Sequence, residues 1–268
     1  MRIHPTAIID PAAQLGAGVE VGPHAIIGPD VILGAGCRVL ANCIIEGDVV
    51  AGDNNTFGYG SVIGTPPQDF AFDPACPSGV RIGSGNTFRE YVTIHRGTKE
   101  GTMTQVGDGC YLMVNSHMGH NSKLGNRVVM ANDVLLAGYV EIADGAIIAG
   151  GAMLHQFMRV GTLAMVRGGA RVGKDVPPYT FAETKNQLLG INSIGLRRAG
   201  LSAAVRNEIR RAYKLAFRSG YNVSQALEKS REESWGPEAT GFFDFIATSK
   251  RGVCTANRMV AASAQADE

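Results

Sequence analysis

The chain has 268 residues, of which 45% are hydrophobic and 18% charged, enough for one large domain and a small one. Its 25 lysines and arginines nearly balance its 24 acidic residues, so the sequence indicates no strongly basic surface for a nucleic acid partner and leaves only a local basic patch open. Five scattered cysteines without a C-x-x-C pair, no apolar leader and no run of about 18 apolar residues predict a cytoplasmic protein without a membrane span.

From Ile3 onward, an aliphatic residue or a close substitute recurs at every sixth position. We call it the lead residue of its hexad. The first run is Ile3, Ile9, Leu15, Val21, Ile27, Leu33, Val39, Ile45, Ala51, Phe57 and Ile63. After an interruption the lead residues are Ile82, Phe88 and Ile94. The last run is Val106, Leu112, Met118, Leu124, Met130, Leu136, Ile142, Ile148, Leu154, Val160, Val166 and Val172.

This six-residue period predicts a parallel β-helix, since an α-helix would need a period near 3.6 residues. Each hexad gives one short strand and a corner, so that three hexads close one triangular coil and the lead residues stack inside it. Glycine often follows the lead residue, as at Gly16, Gly22 and Gly34. We expect these glycines at tight corners, where they tolerate positive φ and leave room for neighbouring backbone.

Two stretches interrupt the repeat. Residues 65–80 contain four prolines and shift its phase, which predicts a loop extruded from a corner. Residues 100–105 keep the phase but lack an aliphatic lead residue, which predicts a weak coil or a second loop.

Beyond Val172, the segment Asp175-Val176-Pro177-Pro178-Tyr179 should end the stack of coils. We therefore predict a repeat domain over residues 1–180 and a small C-terminal α-helical domain over residues 181–268. Helices are expected at 202–220, with Ser202 as N-cap and Gly220 as the stop, at 222–234 and at 242–248. The residues after about Val253 are expected to form a loose tail.

Four of the six histidines lie in the second half of the repeat, and His120 is the best candidate for a reactive base. It follows the inward-pointing Met118 by two positions, so its imidazole should face outward. The alternative for each histidine is a polar residue at a solvent or subunit surface. The glycines follow the repeat and form no phosphate-binding fingerprint. The basic residues Arg206, Arg210, Arg211 and Lys214 indicate a solvated helix face, or a surface for a nucleotide diphosphate or an acidic carrier protein.

Several segments together resemble the UDP-N-acetylglucosamine acyltransferase family of lipid A biosynthesis, and the resemblance covers nearly the whole chain. They are Ile3–Ala7, Val92–Thr98, His117–His120, Leu154–Phe157, Asp175–Tyr179, Gly190–Asn192, Gly195–Arg198, Ala212–Leu215, Phe217–Gly220 and Phe242–Gly252.

The resemblance implies a mainly β fold, a left-handed parallel β-helix followed by the helical domain, and a homotrimer with active sites between subunits. It implies transfer of a 3-hydroxyacyl chain from acyl carrier protein, which holds it on phosphopantetheine, to the 3-hydroxyl of UDP-N-acetylglucosamine, with no bound cofactor. His120 would be the general base and the Gly138 N–H would meet the oxyanion. Asp69, His117, His155 and Gln156 would hold the sugar and acyl donor, Asn192 and Arg198 would contact the nucleotide, and Gly168 would limit the acyl chain.

The chain departs from the family pattern at several of these positions. Asn121 stands where an aspartate usually follows the base, Ala71 replaces a lysine, Tyr139 replaces a histidine and Ala199 replaces an arginine. The stretch 183–187 replaces a glycine-containing segment and is one residue shorter. These differences leave the acceptor and the donor open.

Four alternatives therefore remain: a different nucleotide-sugar acceptor, including a 3-amino sugar, an acetyl-CoA donor, a non-catalytic nucleotide-sugar-binding protein, and a zinc enzyme of the same fold. A zinc site would need His95, His117 and His120. Their spacing does not match the zinc carbonic anhydrases of this fold, in which two histidines stand five apart, so we expect no metal.

Overall fold

The computed structural model describes residues 1–256, in which each hexad forms one short strand followed by a corner. The strands are β1 (Arg2–Ile3), β2 (Ile8–Ile9), β3 (Gln14–Leu15), β4 (Glu20–Val21), β5 (Ile26–Ile27), β6 (Val31–Leu33), β7 (Arg38–Val39), β8 (Ile44–Ile45), β9 (Asp48–Ala51), β10 (Thr56–Phe57), β11 (Val62–Ile63), β12 (Gly79–Ile82), β13 (Thr87–Phe88), β14 (Thr93–Ile94), β15 (Met103–Val106), β16 (Tyr111–Leu112), β17 (His117–Met118), β18 (Lys123–Leu124), β19 (Val129–Met130), β20 (Leu135–Leu136), β21 (Glu141–Ile142), β22 (Ile147–Ile148), β23 (Met153–Leu154), β24 (Arg159–Val160), β25 (Met165–Val166), β26 (Arg171–Val172), β27 (Thr180–Glu183), β28 (Gln187–Ile191) and β29 (Thr255–Ala256). The helices are α1 (Ser193–Arg198), α2 (Ala203–Arg218), α3 (Val223–Ser230) and α4 (Pro237–Ala247).

The strands form the three faces of a left-handed parallel β-helix. Face A runs from β1 through every third strand to β25 and ends in β27, β28 and β29. Face B contains β2 and every third strand to β26, and face C contains β3 and every third strand to β24. The pairing of Ile8 with Ile26, and of Ile26 with Ile44, shows the coil of 18 residues that three hexads predict.

Two positions of each hexad point into the helix. The lead residues are buried from Val21 onward, and Phe57 and Phe88 stack with their rings 5.2 Å apart. The residue two positions before each lead residue is also buried and is usually small, as at Ala25, Cys37 and Ser61. Sequence analysis had not identified this second inward position. All five cysteines are free thiols.

The structure separates the two roles that we expected for the glycine after the lead residue, and room for neighbouring backbone is the one that it confirms at Gly58. Positive φ falls on the third residue after the lead, at Asn42 and Tyr139 as well as at glycines such as Gly85. Gly58 instead lies against the next coil, where a Cβ would come 2.5 Å from the backbone carbon of Arg89. The close approach of neighbouring coils, and not positive φ, therefore excludes a side chain there.

Each of the two interruptions of the repeat consists of extra residues inserted into a single coil. Val62 pairs with Thr93, 31 positions later, so this coil contains the first loop. Strand β12 already begins at Gly79, and the loop therefore ends before the expected residue 80. Thr93 pairs with His117 after 24 positions, which makes the second interruption a six-residue insertion near Thr98.

The segment after the coils begins as a hairpin, and its first α-helix starts only at Ser193. Strands β27 and β28 are antiparallel and extend face A, and the 3-10 turn Thr184–Asn186 joins them, so residues 181–191 contain no α-helix. The Ser202 side chain caps α2 as predicted, by accepting the N–H of Val205. Helix α4 begins at Pro237, five residues earlier than we predicted, because proline suits the first position of a helix.

The expectation of a loose tail after about Val253 is wrong for residues 254–256. Val253 and Cys254 are buried, and Thr255 pairs with Gln187 on face A. The rest of the predicted tail lies outside the described residues. Within residues 1–256, no helix combines the length and the apolar character that crossing a membrane requires.

Candidate active site

His120 lies at the corner between faces B and C, two residues after the lead residue of β17. Gly138 occupies the same corner one coil later. A Cβ on Gly138 would come 2.5 Å from both Cε1 and Nε2 of His120, so the imidazole edge lies directly on this glycine. A Cβ on Gly119 would come 2.8 Å from the Gly138 nitrogen, so this second glycine keeps the amide free of side-chain cover.

Asn121 fixes the protonation pattern of the His120 ring. Its Oδ1 accepts the backbone N–H of Thr98 at 3.1 Å, which identifies the amide oxygen, since an N–H can only donate. The same Oδ1 lies 2.9 Å from His120 Nδ1. Nδ1 must therefore be protonated, and Nε2 carries the lone pair that a general base needs. An asparagine after the base thus retains the orienting role that a carboxylate would have.

His117 lies on the outward side of face B beside Thr93 and is neutral near pH 7. Its Nδ1 is 2.7 Å from the Thr93 hydroxyl. Desolvation by burial, with smaller effects of His95 and His120, lowers the pKa of His117 to about 4. Burial likewise lowers the pKa of His95, whose ring lies edge-on to that of His117 at 5.1 Å. These two residues therefore add no positive charge beside His120 at neutral pH.

A cavity of about 540 Å³ opens beside His117. It is lined by Gln68, Tyr91, Thr93, Asn115, His117, Leu135, Leu136, Ala137, Met153 and Leu154. Gln68 belongs to the first loop, which Arg96 holds in place by donating to the carbonyl oxygens of Pro74 and Cys76. Asp69 is exposed next to Gln68, where its carboxylate accepts the N–H of Ala71 in a tight turn. The extruded loop thus brings polar groups to one end of an otherwise largely apolar cavity.

His155 adjoins a second, more apolar cavity of about 300 Å³. Met153 and Leu154 line both cavities, which makes an apolar path along face B from His117 to His155. The His155 Nδ1 lies 3.3 Å from Arg251 Nη2, so the C-terminal segment reaches this end of the path. Gln156 is exposed beside it. Gly168 lies apart from both histidines, exposed at the corner between faces A and B.

Asn192 and Arg198 line a cavity of about 690 Å³ on face A, whose lining includes Ile147, Leu163, Met165, Phe181 and Ile191. The Asn192 side chain caps α1 by accepting the N–H of Gly195 and donates to the carbonyl of Leu163. Faces A and B of a triangular helix point in different directions. One chain therefore does not bring Asn192 and Arg198 together with His117 and His120.

Thr98 ends one of the segments that resemble the family, but sequence analysis assigned no role to this residue, which the structure places in contact with Asn121. Thr98 sits in the second insertion, where no repeat fixes its direction, and it reaches Asn121 from the neighbouring coil. Among residues 1–256, no group of three or more histidine, cysteine or acidic side chains could hold a metal ion.

Comparison with known proteins places these features in context. Residues 175–254 match the family described as Udp N-acetylglucosamine O-acyltransferase, Domain 2. The chain is similar to acyl-[acyl-carrier-protein]–UDP-N-acetylglucosamine O-acyltransferases of Halorhodospira halophila (43% identical) and Myxococcus xanthus (45% identical), each over 94% of this chain and 98% of the relative.

Solved structures give the same result. A UDP-N-acetylglucosamine acyltransferase from Bacteroides fragilis is 40% identical and superposes with a TM-score of 0.89, covering 93% of this chain and 98% of that one. The enzyme from Francisella novicida is 33% identical with a TM-score of 0.91, covering 97% and 96%.

Proposed function

The chain belongs to the acyl-[acyl-carrier-protein]–UDP-N-acetylglucosamine O-acyltransferase family, and on that basis we propose that His120 is the general base of its reaction. The protein is an acyltransferase of lipid A biosynthesis that takes its acyl group from acyl carrier protein and gives it to UDP-N-acetylglucosamine. The observation that carries the proposal is the 2.9 Å contact of His120 Nδ1 with Asn121 Oδ1, from which we infer that Nε2 carries the lone pair.

The proposed reaction begins when Nε2 takes the proton of the sugar 3-hydroxyl. The sugar oxygen then forms a bond to the thioester carbon of a 3-hydroxyacyl chain, and the carbonyl oxygen becomes an oxyanion. The N–H of Gly138, a residue that lies against the imidazole edge, would donate to this oxygen. Breakage of the C–S bond releases the phosphopantetheine thiolate, which takes the proton back from the imidazolium. The products are the 3-O-acyl sugar and the free thiol of acyl carrier protein.

The cavities support a place for each substrate. Neutral His117 and the loop residues Gln68 and Asp69 would contact the sugar and the head of the donor. The apolar path past Met153 toward His155 and Gln156 suits part of the acyl donor. Exposed cations on α2, such as Arg210 and Lys214, suit an acidic carrier protein.

A homotrimer with sites between subunits would resolve the separation of the two faces. Asn192 and Arg198 of one copy would hold the nucleotide while His120 of a neighbouring copy acts on the sugar. In such a site Gly168, at the corner between faces A and B, would lie near the acyl chain that is bound beside a neighbouring subunit. Five free thiols agree with a cytoplasmic location.

The test is mass-spectrometric detection of acyl transfer from 3-hydroxyacyl carrier proteins of several chain lengths to UDP-N-acetylglucosamine. We expect turnover by the wild type and a loss of at least about 10²-fold in kcat for His120→Ala, because a positioned base contributes that much. Binding of UDP-N-acetylglucosamine by calorimetry should persist in the variant. Undiminished turnover by His120→Ala would refute the assignment of the base. Parallel arms with the 3-amino sugar nucleotide and with acetyl-CoA test the other substrates.

A further inference from the structure

Beside His120, a chain of neutral hydrogen-bonding groups leads away from the base to Tyr139. The Tyr139 hydroxyl lies 3.2 Å from Thr98 Oγ1, which lies 3.0 Å from Asn121 Oδ1. Tyr139 also holds its ring edge-on to the His120 imidazole, with centroids 5.3 Å apart.

The direction of each proton in this chain follows from the groups present. Asn121 Oδ1 has no hydrogen, so the Thr98 hydroxyl must give it its only proton. The contact between Thr98 and Tyr139 then requires the Tyr139 hydroxyl to be the donor. The same Oδ1 receives the proton of His120 Nδ1. The chain therefore runs from Tyr139 through Thr98 to Asn121, where it meets the imidazole.

The surrounding residues hold this chain of hydrogen bonds in a rigid arrangement. Asn121 is buried, with 6% of its surface exposed. The Tyr139 ring stacks on Phe157 of the next coil, with centroids 4.8 Å apart and planes at 17°. Asn121, Tyr139 and Phe157 occupy the same corner position of successive coils, each with positive φ. The repeat itself thus places the hydroxyl at a fixed distance from the base.

We propose that Tyr139 is a positioning residue for acyl transfer, which acts through Thr98 and Asn121 to hold the His120 ring in the Nδ1–H form. This proposal rests on His120 being the base. Since every member of the chain is uncharged, it orients the imidazole without a carboxylate beside it. The tyrosine and the asparagine, which both depart from the family pattern, would then work as a pair.

The test compares Tyr139→Phe, which keeps the ring and its stacking but removes the hydroxyl, with the wild type. We expect kcat to fall about 3- to 10-fold, the size of one hydrogen bond, with KM for UDP-N-acetylglucosamine unchanged. ¹⁵N NMR of the His120 ring should show a larger fraction of the Nε2–H form. Tyr59→Phe, the same change at an exposed tyrosine, should leave both quantities unchanged.

A double-mutant cycle shows whether Tyr139 acts on His120 through the hydrogen bonds of Thr98 and Asn121. In Asn121→Ala the connection is broken, so adding Tyr139→Phe should change kcat no further. Equal effects of Tyr139→Phe in both backgrounds would overturn the proposal, and so would wild-type kcat and NMR spectra in the single variant.

His120→Ala separates the two ideas. If it loses activity while Tyr139→Phe does not, only the positioning role fails. If it stays active, the base assignment itself fails.

Discussion

A methyl group on Gly138 should disable the base while leaving the fold intact. The Cβ of Gly138→Ala would come 2.5 Å from Cε1 and Nε2 of His120, and ordinary contact begins at 3.4 Å. The ring must therefore retreat by roughly 1 Å, a displacement that can lower a rate about 10²-fold. The backbone of Gly138 does not have positive φ, so alanine is compatible with it.

The loss should appear in activity and not in stability. The closest atoms to the new methyl belong to the side chain of His120, so we expect the free energy of unfolding to change by less than about 1 kcal/mol. Acyl transfer measured by mass spectrometry should fall at least about 10²-fold in kcat. The melting temperature, followed by circular dichroism at fixed protein concentration, should change little.

Gly241→Ala is the matched control. Gly241 lies inside α4, and a Cβ there would contact nothing within 4 Å. Removal of a glycine from a helix should stabilise the protein by up to about 1 kcal/mol, with activity unchanged. Wild-type turnover by Gly138→Ala would refute the contact between this glycine and the base, and a large loss of stability would assign the glycine a packing role instead.

Three further predictions concern stability. The pKa of folded His117, about 4, lies below the unfolded value of about 6.5. Between these two pH values the unfolded chain binds more protons than the folded protein. The stability that His117 contributes above pH 6.5 is therefore lost as the pH falls toward 4. The drop in melting temperature from pH 7 to pH 5 should shrink in His117→Asn; an unchanged drop would contradict this. Asp175 is 1% exposed, and its carboxylate accepts hydrogen bonds from the backbone N–H and the Nε–H of Arg159. Asp175→Ala should therefore lower the free energy of unfolding, measured with denaturant, by about 3 kcal/mol. A loss below about 1 kcal/mol would refute that expectation. Gly58→Ala should lower the free energy of unfolding by about 1–3 kcal/mol, because a Cβ there meets the backbone of the next coil. Gly85→Asn should have little effect, because Gly85 lies at a corner with positive φ and open space around it. The reverse order would refute our explanation of the two glycine positions.

The sequence was most informative where one short-range rule acts repeatedly. A lead residue at every sixth position, often followed by glycine, is typical of a hexad that forms one strand and one corner, and it predicted the 18-residue coil that the strand pairing shows. The prolines of the first loop and the N-cap at Ser202 are also local signals, because each constrains its own backbone. The family motifs then indicated His120 and Gly138, which the structure places in contact.

The tertiary structure decided what depends on contacts between coils. Residues of the same corner in successive coils are 18 or more positions apart, and nothing in the local sequence shows that Thr98 from an insertion reaches Asn121. For the glycine after the lead residue, the sequence suggested both positive φ and room for neighbouring backbone, and the structure at Gly58 shows that the backbone of the next coil is the reason. Residues 181–191 and 255–256 lack the hexad repeat, and they join face A because its last strand leaves hydrogen-bonding groups to be paired.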